Sequence, residues 1–203
     1  MGKRSNSAER ILREAIRLFA EKGFERTSVA DIQAAVGLNP GSGALYKHYA
    51  SKEALLAAAV DDFIAPVAEA KSALTESSEP AAKTLEQLAR MTLAMLAADR
   101  DMLRILWRDL DHFPSLRDRA RNERIQASYA ALGQWVRART EAGEFSTDDP
   151  DATAAVMLAS LVMFRLLDIC LGETPGRIGE ERFLAAWLAL VKHGALPEGV
   201  VAR

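Results

Sequence analysis

Gly23 and Gly37 punctuate a helix-forming run between residues 11 and 56, and that punctuation narrows the folds open to the chain more than any other feature. Ile11, Ala15, Leu18 and Phe19 recur at helical spacing, with Arg10, Arg13, Glu14 and Arg17 on other faces, which predicts an amphipathic first helix. Lys22-Gly23 ends it, because glycine takes the left-handed conformation that stops a helix, and Phe24 returns the chain to the core. Thr27 or Ser28 caps a second helix, and Ser28 with Asp31 has capping-box chemistry. Val29, Ile32, Ala35 and Val36 form its apolar side, Gly37 ends it, and Leu38 plugs the turn. A third short helix is expected over about 42–49. Ser51 caps a fourth helix starting at Lys52, which Pro66 kinks or breaks. A helix-turn-helix over about 28–49 suits one task well: one helix crosses a duplex backbone while the next enters the major groove, where all four base pairs differ. Many enzymes also contain two helices joined by a glycine turn, so the spacing alone leaves both readings open.

Charge favours the nucleic-acid reading. Net charge is only −2, but residues 1–52 carry nine Lys/Arg against five Asp/Glu, and residues 53–203 carry seventeen against twenty-three. A basic head on an acidic body directs only the head to a polyanion. Thr27 and Ser28 sit at a helix N-terminus, where free N–H groups favour phosphate as well as a cap. Tyr46 and Lys47 offer a phenol and an ammonium to phosphate. His48 suits either phosphate or a satisfied structural role, and Tyr49 suits the core. Ser42, Ala44 and Leu45 are short or methyl-bearing side chains able to meet a base edge, although Leu45 fits a core equally well. Lys3 and Arg4 are expected to form an arm that adds salt-dependent affinity.

The stretch ILREAIRLFAEKGFERTSVADIQAAVGLNPGSGALYKHYASKEALL resembles the tetracycline-repressor (TetR) family. The resemblance rests on Phe19, Gly23, Phe24, Thr27, Ser28, Asp31 and Ile32, then Leu45, Tyr46, His48, Tyr49, Ser51, Lys52 and Glu53. It departs at Leu38–Ala44, a turn longer than is usual in the family. The resemblance implies an all-α fold of about nine helices: a tri-helical helix-turn-helix DNA-binding domain followed by a helical ligand-binding and dimerisation domain. It also implies that Tyr46 and Lys52 contact the DNA backbone, that the last two helices pair between subunits, and that an effector enters the body and releases DNA. The expected division is a head over 1–52, continuing into a connecting helix to about 74, and a body over 75–203.

Thr75–Pro80 is expected to be a linker. Body helices are expected over about 81–98, 101–111, 114–140, 150–171 and 180–194, with Pro80, Pro114, Pro150 and Pro175 at starts or breaks. A head this small reads few bases, so specificity calls for a homodimer on a palindromic operator. Met157, Leu161 and Leu171 on one helix and Phe183, Trp187 and Leu190 on the next are the dimerisation candidates, with ordinary core as the alternative. Met91, Met95, Leu103, Leu106, Trp107, Phe113, Tyr129, Trp135 and Phe164 could line an adaptable apolar pocket or simply fill a core. Asp168, near Arg165, would supply that pocket's polar contact, or the two would pair locally. The implied effector is small and apolar or amphipathic.

Other classes receive less support. His48, His112 and His193 are scattered without metal-ligand spacing, and Gly37–Gly43 lacks the lysine of a phosphate-binding loop. No enzyme activity, metal or cofactor is therefore expected. Cys170, the only cysteine, excludes an intramolecular disulfide and reads as a buried small hydrophobe. The apolar run Ala152–Leu167 is interrupted by Arg165 and too short to span a bilayer, and no apolar leader follows Met1, so a cytoplasmic protein is expected. The competing reading is a helical protein-interaction module, or a nonspecific DNA binder, without an effector.

Overall fold

The structure, a computed structural model, describes residues 6–39 and 43–195, and among these the chain is helical with no strand. The elements are α1 (Asn6–Lys22), α2 (Val29–Ala35), a 3-10 turn (Leu45–Lys47), α3 (Lys52–Ile64), α4 (Pro66–Glu76) and α5 (Ala81–Ala98). There follow α6 (Arg100–Arg108), a 3-10 turn (Leu110–His112), α7 (Pro114–Arg119), a π-helical segment (Ala120–Gln126), α8 (Ala127–Glu141), α9 (Pro150–Leu171), a 3-10 turn (Pro175–Arg177) and α10 (Glu180–Ala195). Two compact units result: Met1–Ala65 with Asp99–Arg121, and Pro66–Ala98 with Asn122–Arg203.

In the first unit α1 buries Ile11, Leu12, Ala15, Leu18 and Phe19. Gly23 has φ +96°, and in that conformation its N–H returns to the Phe19 carbonyl at 2.9 Å and closes the helix. Ser28 caps α2: its hydroxyl accepts the Asp31 N–H at 3.1 Å while the Asp31 carboxylate accepts the Ser28 N–H at 2.9 Å. Ser51 caps α3 through the Ala54 N–H at 3.1 Å. The break between α3 and α4 falls at Pro66, which has no N–H to continue the ladder. The sequence placed residues 99–121 in the body. They pack with the N-terminal helices instead, because Met102, Ile105 and Leu110 share one core with Ile11, Phe19 and Leu55.

Two other expectations change. The third helix of the head is a single 3-10 turn, preceded by Gly43 at φ +66°, a conformation that cannot sit inside an α-helix; Pro40, Gly41 and Ser42 lie outside the described residues. The long helix expected over 114–140 is interrupted by the π-helical segment, where Arg124 is buried and the Ser128 hydroxyl takes the Arg124 carbonyl at 2.7 Å.

The second unit packs α8 along α9, with α5 against α9, α4 against α8 and α10 against α5. Its core includes Leu85, Leu93, Val136, Leu161, Phe164 and Trp187. The Trp187 indole N–H donates to the Ser160 hydroxyl at 2.9 Å and to the Met157 carbonyl at 3.3 Å, which pins α10 to α9. Asp149 caps α9 by accepting the Ala152 N–H at 3.0 Å, and Pro150 occupies the first helical position. By length and composition alone the 22-residue α9 is apolar enough to cross a membrane, a test that a core helix also passes. Met157, Leu158, Leu161 and Phe164 are buried within the unit, so one side of α9 is core.

Leu161 was an interface candidate, but it is 1% exposed inside its own subunit. Leu161→Ala is expected to lower the unfolding free energy by about 2–5 kcal/mol in urea titration. A loss below about 1 kcal/mol would place Leu161 outside the packed core.

Candidate nucleic-acid interface

The first unit holds the nucleic-acid candidates on a short framework built around Phe24. The Phe24 ring lies 5.1 Å from that of Phe19 and meets Phe113 edge-on at 4.7 Å, centroid to centroid. The Lys52 ammonium stands 4.2 Å from the centroid of the same ring. The backbone of the turn is held as tightly as the ring. Thr27 donates its hydroxyl to the Gly23 carbonyl at 2.8 Å and the Leu18 carbonyl at 3.2 Å. Lys52 donates to the carbonyls of Phe24 at 2.9 Å and Thr27 at 3.1 Å. From α6, Arg108 donates to the Phe19 carbonyl and to the Ala20 carbonyl at 3.1 Å, and the next residue, Asp109, accepts the Phe24 N–H at 3.3 Å. At the far end of α2, Arg10 donates to the Val36 carbonyl at 3.2 Å.

This framework sorts the sequence candidates by exposure. Ser28, Tyr46, Lys47 and His48 are exposed, with Tyr46 at 55%, and Ala44 is half-buried. Thr27 is 1% exposed with its hydroxyl spent on two carbonyls, so its side chain is a brace within the unit and not a phosphate contact. Leu45 is wholly buried, because its 3-10 turn points it into the shared core, and it cannot reach a base edge. Lys52 is half-buried, and two of its three ammonium hydrogens go to the Phe24 and Thr27 carbonyls, which leaves one for a phosphate. Tyr49 is core, its hydroxyl donating to the Ala8 carbonyl at 3.1 Å. Ser42, Lys3 and Arg4 lie outside the described residues. Arg108, Asp109 and Phe113 are the members of this framework that sequence spacing did not assign to the head, because they join it from beyond residue 99.

Local electrostatics follow the caps. The Ser28 hydroxyl, and then the Ser28 N–H, hold the Asp31 carboxyl below its ordinary range. The Ser51 hydroxyl, and then the backbone N–H of Glu53, do the same for Glu53. A carboxylate in the first turn also complements the positive end of the helix.

The effector candidates are distributed over both units. Leu103, Leu106 and Phe113 are half-buried against the first unit's core, and Trp107 is 73% exposed. In the second unit Trp135 and Phe164 are buried, Phe164 stacking on Phe183 at 3.9 Å between centroids. Tyr129 and Met95 are half-buried, and Met91 is exposed. Asp168 pairs with Arg165 of its own helix at 3.4 Å, and Arg165 also pairs with Glu180. Of the dimer candidates, Met157, Leu161 and Trp187 are buried within the subunit and so are core, Phe183 is half-buried, and Leu171 and Leu190 are exposed. No group of three or more His, Cys, Asp or Glu side chains placed to hold a metal ion occurs among the described residues.

Residues 11–59 match the family described as bacterial regulatory proteins, tetR family. Residues 83–183 match the C-terminal domain of AefR-like transcriptional repressors. An uncharacterised HTH-type transcriptional regulator of Bacillus subtilis, YerO, is 46% identical over 56 residues, a match spanning 28% of this chain and 19% of that protein. A transcriptional regulator from Saccharomonospora viridis, solved in complex with choline, superposes with a TM-score of 0.76 at 20% identity, covering 96% of this chain and all of that one. A gamma-butyrolactone receptor superposes with a TM-score of 0.69 at 22% identity, covering 97% of this chain and 94% of the other. At these identities the two structures share the fold.

Leu45 and Tyr46 are adjacent but should behave differently. Leu45→Ala is expected to cost about 2–5 kcal/mol of stability, whereas Tyr46→Phe leaves the melting temperature unchanged and weakens duplex binding. Calorimetry and a binding titration on both variants check this, and equal melting temperatures would contradict the burial of Leu45. The depressed Asp31 carboxyl stabilises the folded head above its ordinary pKa of about 3.9, and that contribution is lost as pH falls through the folded value. Asp31→Ala is therefore expected to melt below wild type at pH 7, with the gap narrowing below about pH 3.9.

Proposed function

The chain belongs to the TetR family of bacterial regulatory proteins, and from that membership we propose that it works as a homodimeric, cytoplasmic repressor. Two heads bind a palindromic operator, and a small apolar or amphipathic effector held in the body releases them. The observation that carries the DNA-binding role is the pairing of exposed Tyr46, Lys47 and His48 with a turn braced by Thr27 and Lys52. A phenol, an ammonium and an imidazole together on the short turn anchored by buried Leu45 suit a phosphate backbone, which positions a reader before any base is read.

The dimer reading rests on α9. Ala152, Val156, Ala159 and Met163 are all exposed, spaced four and three residues apart, and Cys170 continues the stripe one heptad on. Val156 is 72% exposed, and Leu190 on α10 is 75% exposed. Such spacing forms a seam that a second helix covers, whereas Met157 and Leu161 serve the subunit's own core. Cys170, expected to be buried, lies on this face instead.

The effector reading rests on the body's match to a repressor C-terminal domain and on the small organic ligand held by one structural neighbour. Met91, Met95, Tyr129 and Asp168 are its proposed contacts, being the candidates in the second unit that its core does not bury.

The test is selection of a duplex from a random pool by the full chain. The expected result is a palindromic sequence held at least about a thousandfold more tightly than random DNA, and lost in the Tyr46→Ala, Lys47→Ala double variant. In sedimentation, Val156→Lys with Met163→Lys is expected to turn a dimer into a monomer. No enriched sequence would overturn the regulator reading in favour of a nonspecific or protein-binding module, and a dimeric double-lysine variant would overturn the seam. Upstream reporter transcription that rises when the chain is absent is the expected sign of repression.

A further inference from the structure

Arg108 and Asp109 stand at the end of α6, more than eighty residues beyond the turn they hold. Arg108 gives its guanidinium to the Phe19 and Ala20 carbonyls, acceptors in the last turn of α1. Asp109, largely buried and paired with Arg108 at 3.0 Å, accepts the N–H of Phe24, the first residue after the helix-ending Gly23. The two side chains therefore grip the polypeptide on either side of Gly23, the point at which α1 ends and the approach to α2 begins. Phe113 completes the grip by meeting the Phe24 ring edge-on.

This grip serves stability and orientation together. Phe19, Ala20 and Phe24 are buried, so the peptide groups that Arg108 and Asp109 take depend on those partners. The orientation comes from geometry, because a planar fork on two successive carbonyls, with a carboxylate on the N–H beyond them, fixes both direction and position. The segment they fix leads within a few residues to Ser28, and a helix-turn-helix reads bases only when its two helices stand at a set angle to the groove.

We propose that Arg108 and Asp109 are positioning residues for operator recognition: without touching DNA, they set the direction in which the chain leaves α1 and so the placement of α2 and the Leu45–Lys47 turn. The DNA-reading module is then discontinuous in sequence, residues 6–65 being completed by 99–121. This rests on the regulator reading above. It adds residues that no phosphate or base would report directly.

The experiment uses the full chain and the duplex that wild type selects from a random pool, with a random duplex as the nonspecific probe. Asp109→Ala is expected to weaken selected-duplex binding about tenfold, the size of one mismatched base pair. Random-duplex affinity, its salt dependence and dimer mass should stay near wild type, while the melting temperature falls by a few degrees because the buried Phe24 N–H loses its acceptor. Asp109→Asn retains an oxygen for the Phe24 N–H and is expected to recover most of the lost affinity. Amide exchange at Phe24 to Ser28 should quicken in Asp109→Ala and return in Asp109→Asn. Unchanged selected-duplex affinity in Asp109→Ala would overturn the proposal. So would equal losses of selected-duplex and random-duplex affinity, which mark a merely structural residue. Failure of wild type itself to prefer any duplex would instead overturn the regulator reading beneath it.

Discussion

The head depends on how the chain turns at Phe24. One ring is packed by Phe19 and Phe113 and covered by the Lys52 ammonium, while the surrounding peptide groups are taken by Thr27, Lys52, Arg108 and Asp109. A buried turn must satisfy its backbone groups, and here side chains from α3, the end of α6 and the turn itself do so. Because α2 has only seven residues, its own helical propensity cannot hold it in place. Its position comes from the capping box at one end, the Arg10 bond to Val36 at the other, and the Phe24 turn before it. The side chains exposed from this region, Ser28, Tyr46, Lys47 and His48 among them, depend on that rigidity for their placement.

The same division between rigid support and sparse surface function holds in the second unit. α9 has two apolar faces with different tasks: Met157, Leu161 and Phe164 fill the core, and Val156 and Met163 stand in solvent. Trp187 ties α10 to the first face through Ser160 and Met157. Surface ion pairs such as Arg137–Asp151 and Arg90–Glu181 decorate the helices and contribute little to stability by comparison.

Much of this was legible in the sequence, and the limits have physical causes. Helix ends were readable because Gly23, Ser28, Ser51, Pro66 and Pro150 carry local chemistry that does not depend on the rest of the fold. Tyr46, Lys47 and His48 are exposed beside the capped start of α3, an arrangement that leaves open the phosphate reading given to each of them. Thr27 and Leu45 each had two readings open, because a hydroxyl or a methyl beside a turn looks the same from sequence whether it faces in or out; the structure turns both inward, Thr27 onto the Leu18 and Gly23 carbonyls and Leu45 into the core with Phe19, Tyr49 and Leu55. The placement of residues 99–121 was invisible, since Met102, Ile105 and Leu110 form an ordinary helical pattern that names no partner. On α9, apolar residues occupy nearly every position, so periodicity could not separate the core face from the exposed one, and of the two readings open for Met157 and Leu161 the structure shows core.

The central claim is that two identical, internally braced heads read one duplex, and a hydroxyl-radical footprint of the full chain on its selected duplex tests it most directly. The account predicts two symmetric protected patches, centred about one helical turn or a whole multiple of it apart. A single patch, or protection that spreads evenly along the duplex, would contradict it.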